Sequence, residues 1–193
     1  MKEHYEKLIN NKDKPWGPEF NEAYLAIQKD VHETAKSKGW WDTERNDGEA
    51  IALMHSELSE AFDGWDESDD KVPEFNGMEA ELADCVIRIM DMAEARGWNV
   101  ANELTNPELY DETADVISID RMLLHMHLGL SNALEAMRKP KKDEKQEIAA
   151  GLAYCVSAAM NVVCDFSYDV VSALCAKVEM NKTRERMHGG KKF

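Results

Sequence analysis

Glu57 and Glu60 lie three residues apart in the chain, and so do Glu81 and Asp84. That spacing places both members of a pair on one face of a helix. Each pair has apolar neighbours, Leu53, Leu58 and Ala61 for the first and Leu82, Cys85 and Val86 for the second, so the acids border a packed face. Two antiparallel helices would bring the four carboxylates to close quarters, where they repel unless a cation compensates them. An all-oxygen set suits Mg2+, with Mn2+ as the alternative, and does not suit zinc. One E-x-x-E alone is common on solvated helix faces. E-x-x-E followed by E-x-x-D on consecutive helices is a much more specific metal-binding pattern.

The elements that must position these acids are all helical. Phe20, Ala23, Tyr24, Ile27, Val31 and Ala35 recur at helical spacing and predict a helix from about Pro18 to Lys38, stopped by Gly39. Further helices are expected over about 48–65, 78–96, 116–138 and 144–182, the last broken near 165–169. Residues 1–17 read as a polar lead-in, 66–77 as an acidic loop, 105–115 as a linker through Asn106 and Pro107, and 187–193 as a flexible tail. No segment reads as a strand. The expected fold is an all-α helical bundle in a single domain over 1–193.

A repeat organises the bundle. Met54–Ala61 aligns with Met126–Ala133 at an offset of 72, with five of eight positions identical. Glu81–Val86 aligns with Gly151–Val156 at an offset of 70, with four of six identical. The expected parts are a metal-binding catalytic repeat over 18–104, a degenerate repeat over 116–182 and a basic tail over 183–193. The differences between copies are informative. Glu57, Glu60, Glu81 and Asp84 become Gly129, Asn132, Gly151 and Tyr154, while the apolar positions persist as packing demands. His55 has its counterpart in His127, within the copy that lacks acids, and therefore reads as structural.

With these motifs in place, the chain resembles the MazG-like all-α NTP pyrophosphohydrolases, a superfamily that includes dimeric dUTPases and dCTP pyrophosphatases. Glu57-x-x-Glu60 and Glu81-x-x-Asp84 match its metal signature, with Lys38–Trp41 upstream and Arg96–Trp98 downstream. Lys177, Asn181, Lys182, Arg184 and His188–Lys192 resemble its basic nucleotide-binding tail. Two features depart from the pattern. Ser56 stands where the family often has another acid, and a whole degenerate hairpin separates the acids from the basic tail.

The resemblance implies hydrolysis of an NTP or dNTP to monophosphate and pyrophosphate. Glu57, Glu60, Glu81 and Asp84 would hold Mg2+ and do the catalytic work, and one of the four, with Glu60 as first candidate, could act as general base. Lys177, Asn181, Arg184 and Lys191 would meet the phosphates. Trp41, with Trp40 and Trp65, is a candidate for stacking on the base. Asp91 is a weaker candidate ligand, and His32 and His125 belong to no constellation. The split of acids and cations between the copies suggests a fused pseudo-dimer with one composite site. The family also implies a homodimer, with a monomeric pseudo-dimer as the alternative.

The competing readings are a dUTPase- or dCTPase-specific enzyme, a non-catalytic nucleotide- or metal-binding regulator, and a di-iron bundle. The last would need Glu-x-x-His pairs that the chain lacks. A formal net charge of −15 disfavours nucleic-acid partners. No apolar run is long enough to span a membrane, and the polar N-terminus is unlike a secretory signal, so a cytoplasmic protein is expected. Cys85, Cys155, Cys164 and Cys175 form no C-x-x-C pair and read as core residues.

Overall fold

The chain is described by a computed structural model that covers residues 1–12, 16–106, 118–166 and 168–190, with backbone alone for 161–166. Among these residues it is all-helical: α1 (Lys2–Asn10), α2 (Pro18–Ser37), α3 (Asp47–Asp63), α4 (Gly77–Arg96), α5 (Val100–Leu104), α6 (Ile119–Arg138), α7 (Glu144–Phe166) and α8 (Val170–Thr183), followed by a tight turn over Met187–Gly190. The only extended pairing among the described residues is one isolated bridge between Ser68 and Asn76 in the α3–α4 loop. No helix there is long and apolar enough to cross a membrane.

The helix ends follow local chemistry. Pro18 begins α2 where its missing N–H is no loss. Asn46 caps α3 through the Glu49 amide. Asn76 and Glu79 form a reciprocal capping box on α4, which ends at Gly97 with φ of 65°. The segment 1–17 is more structured than its polarity predicts. It holds α1, whose Leu8 is fully buried, and α1 packs on α2 and touches α8.

α3 and α4 pack as one hairpin and α6 and α7 as another. α3 meets α6, and α4 meets α7. The last helix of each half crosses over, α8 onto α4 and α5 onto α7. Residues aligned in the repeat meet each other at these contacts. His55 and His127 stack with ring centroids 4.8 Å apart and planes 9° from parallel, one Nδ1–H donating to the other Nδ1. The thiols of Cys85 and Cys155 are buried and free, and the interaction with Cys155 first, then burial, pushes Cys85 well above the usual thiol range. A single core joins both hairpins, from Phe20, Tyr24 and Ile27 on α2 through Met54, Leu58, Leu82 and Ile89 to Met126, Leu152 and Leu174.

The two hairpins differ where the acids differ. A Cβ on Gly129 would lie 2.7 Å from the Gly151 carbonyl oxygen, and one on Gly151 would lie 2.8 Å from the Ala133 nitrogen. These glycines align with Glu57 and Glu81 in the repeat, so α6 and α7 close backbone to backbone at the positions where α3 and α4 carry carboxylates.

Candidate metal centre and adjoining cleft

Glu57 on α3 and Glu81 and Asp84 on α4 converge: one carboxylate oxygen from each lies within 4.8 Å of the other two. Glu57 is only 5% exposed. These three acids form a cluster able to hold a metal ion. Glu60 does not join them. It is exposed, accepts a hydrogen bond from Ser56 Oγ at 2.9 Å, and lines the cleft into which the cluster opens.

Crowding is resolved without an ion by three means. The pKa of Glu81 is pushed up to about 8, by burial first, then by its hydrogen bond with Glu57 and the charge of Asp84, which favours the neutral carboxyl. Arg88 donates from Nε to Glu57 Oε1 at 2.6 Å, and its Nη2 lies 2.6 Å from the same oxygen as an ion pair. Lys177 donates to Asp84 at 3.0 Å and to Asp69 at 3.4 Å. With Glu81 ionised, four carboxylates (Glu57, Glu81, Asp84 and Asp69) face two cations, an excess of two formal negative charges that one divalent ion would neutralise. Oxygens around a small ion with bonds of about 2.1 Å lie roughly 3 to 4 Å apart. The three acids could hold a metal ion, and their all-oxygen donors are of the type hard cations take.

Lys177 is fully buried between Asp84 and Asp69, and it does not line the cleft. It is a counter-charge to the cluster, held protonated by those carboxylates although burial opposes its charge. Asp69, in the α3–α4 loop, also accepts from the Lys71 and Val72 amides at 2.9 and 2.8 Å. Against the opposing effect of burial, these bonds and Lys177 hold its carboxyl below the usual range. Asn181 and Arg184 do line the cleft, one and two turns beyond Lys177. The C-terminal segment returns across the mouth. The Met187 amide donates to the Lys38 carbonyl at 2.9 Å, Arg186 pairs with Asp42, and His188 meets Trp40 edge to face at 5.1 Å. Lys191 lies outside the described residues, as do Pro107 and the side chain of Cys164.

Asp91 is not part of the metal cluster. It is 6% exposed and accepts from His32 Nδ1 at 2.7 Å, Trp41 Nε1 at 2.8 Å and Arg45 Nη1 at 3.2 Å. Burial raises its pKa despite those donors. His32 therefore does belong to a constellation, contrary to the sequence reading. Trp41 does not line the cleft: Arg45 and Arg96 lie 5.4 and 5.7 Å from its ring centroid, and its edge contacts His32. Trp40 lines the cleft instead, and Trp65 is 49% exposed and away from it. His125 Nδ1 hydrogen-bonds the Tyr154 hydroxyl at 2.6 Å.

The cations Arg45 and Arg88 went unremarked in the sequence. Arg88 carried a signal, since Glu81, Asp84, Arg88 and Asp91 follow one another along a single stripe of α4. Asp69 carried none, being one acid among several in an acidic loop. Comparisons with protein-family models, curated proteins and solved structures find no match to this chain.

Proposed function

We propose that the chain is a Mg2+-dependent nucleoside-triphosphate pyrophosphohydrolase, adding water across the anhydride between the α- and β-phosphorus atoms to release a monophosphate and pyrophosphate. One observation carries this reading: the buried acidic cluster opens into a cleft whose other walls supply Lys38, Arg45, Lys71, Arg88, Asn181 and Arg184. Acids for a metal and cations for phosphate in one cleft suit a metal–polyphosphate substrate better than either set alone. The sequence resemblance to MazG-like enzymes points the same way.

Glu57, Glu81 and Asp84 would hold the ion, which supplies neutralisation of phosphate charge and a lowered water pKa. Lys177 fixes Asp84 from behind. Glu60, facing the cleft and outside the cluster, is the carboxylate free to take the proton from the attacking water. Arg184 and Asn181 face the phosphate chain, and the C-terminal segment shields it from bulk water.

In this reading the two hairpins are a fused pseudo-dimer. Its supports are the repeat-equivalent contacts at His55–His127 and Cys85–Cys155 and the reciprocal crossing of α5 and α8. The second potential site is shut by Gly129 and Gly151.

The test is pyrophosphate release from a panel of NTPs and dNTPs with Mg2+, with Glu57→Gln as control. Metal-dependent release absent from the variant supports the reading, and the panel identifies the base, including the uracil and cytosine specialists. Metal binding without turnover of any nucleotide would favour a regulatory binding protein.

A further inference from the structure

Arg88 occupies an unusual position among the cations of the site. Of the two that touch the acidic cluster, Lys177 is fully buried and sealed between Asp69 and Asp84, whereas Arg88 has a side chain 31% exposed and lines the cleft. Both of its contacts fall on one oxygen, Glu57 Oε1, which belongs to a residue of the metal-capable set. A guanidinium and a divalent ion placed on the same carboxylate repel each other and compete for its lone pairs.

Arg88 also stands near a like charge. Arg45 lines the same cleft, anchored by Asp91 at 3.2 Å, and is close enough for the Arg88 charge to lower its pKa further, after the larger effect of burial. Two guanidiniums, each held from behind by one carboxylate, thus border one open space between the metal cluster and the Asp91 group. An anion lying between them would relieve their repulsion and accept planar, paired hydrogen bonds of the kind guanidinium makes with phosphate.

We propose that Arg88 is a substrate-binding residue with two partners, holding Glu57 in the metal-free protein and turning to the phosphate chain when a divalent cation takes Glu57. This rests on the pyrophosphohydrolase reading and adds to it an order of events, in which metal binding arms the guanidinium for the nucleotide. It also assigns Arg88 a role different from that of Lys177, which stays with Asp84 throughout.

The experiment uses the full chain as wild type, Arg88→Gln and Arg88→Lys, with thermal melts to verify folding. Calorimetry first measures Mg2+ binding without nucleotide. It then measures binding of inorganic tripolyphosphate in excess Mg2+. Arg88→Gln should bind Mg2+ more tightly than wild type, because a competing cation is gone, and tripolyphosphate about 10- to 100-fold more weakly. Arg88→Lys keeps the charge but not the paired geometry, so its Mg2+ affinity should stay near wild type while tripolyphosphate weakens several-fold. Weaker Mg2+ binding in Arg88→Gln, or tripolyphosphate binding equal to wild type, overturns the proposal and makes Arg88 a fixed counter-charge. If wild type itself binds Mg2+ but no tripolyphosphate, the pyrophosphohydrolase reading fails, and the role of Arg88 falls with it.

Discussion

The behaviour of Glu81 decides how the site meets its metal. A carboxyl that holds a proton up to about pH 8 must release it before it can ligate an ion. Mg2+ affinity should therefore fall as pH drops below about 8, with protons released on binding. Calorimetry in two buffers of different ionisation enthalpy measures both effects, and an affinity flat between pH 6.5 and 8.5 would refute a raised pKa at Glu81. The sign for stability follows. Glu81 has a folded pKa above its ordinary value, so its contribution to the metal-free fold is full below about pH 4.5 and is lost as pH rises through about 8. The thermal shift given by Mg2+ should accordingly grow with pH. Glu57→Gln should weaken metal binding at least about 10-fold, since even outer-sphere changes have effects of that size. The acids that make this site were legible because helical spacing is a geometric code that sequence preserves. Asp69 and the His32–Asp91 contact were not, because each joins residues 59 or more positions apart and leaves no local pattern.

At the scale of the helices, the differences between the hairpins are set by side-chain volume. Gly129→Ala or Gly151→Ala inserts a methyl 2.7–2.8 Å from backbone atoms that cannot swing aside. Each should cost about 1–3 kcal/mol, by the measure of overpacked cores. A domain of this size loses roughly 2–4 °C of Tm per kcal/mol, so a scan by calorimetry or circular dichroism will resolve the change. An unchanged Tm in both variants would mean that α6 and α7 are not in backbone contact. α8 couples the halves differently, through Lys177. Lys177→Met leaves Asp69 and Asp84 facing each other without a cation, a loss of about 3–5 kcal/mol for a broken buried pair. Saturating Mg2+ should restore part of that stability, and failure to do so would separate Lys177 from the metal cluster. Helix positions in α2, α3, α4 and α6 matched their apolar periodicity to within a few residues. α1 escaped notice because one turn of apolar residues among many charges is too weak a signal, and its burial comes from α2 and α8.

Among the described residues, one acidic cluster able to hold a metal ion is found, and it lies on the first of the two hairpins. The acids on α3 and α4 are completed by Lys177, Asn181 and Arg184, which α8 brings from the other half. At the equivalent place on α6 and α7 stand Gly129, Asn132, Gly151 and Tyr154, with the Tyr154 hydroxyl engaged by His125. In the pseudo-dimer reading proposed above, this hairpin contributes core and no metal ligand. All divalent-metal binding should then depend on the first hairpin, and Glu57→Gln combined with Asp84→Asn should abolish it, while wild type gains about 2.7 kcal/mol at 100 times the Kd. That gain corresponds to a Tm increase of about 5–10 °C, absent from the double variant. Residual stoichiometric binding in that variant would place a second site elsewhere and dissolve the division of labour between the hairpins. Its complete loss, with the fold retained, would confine metal binding to the first hairpin and leave the second a packing role.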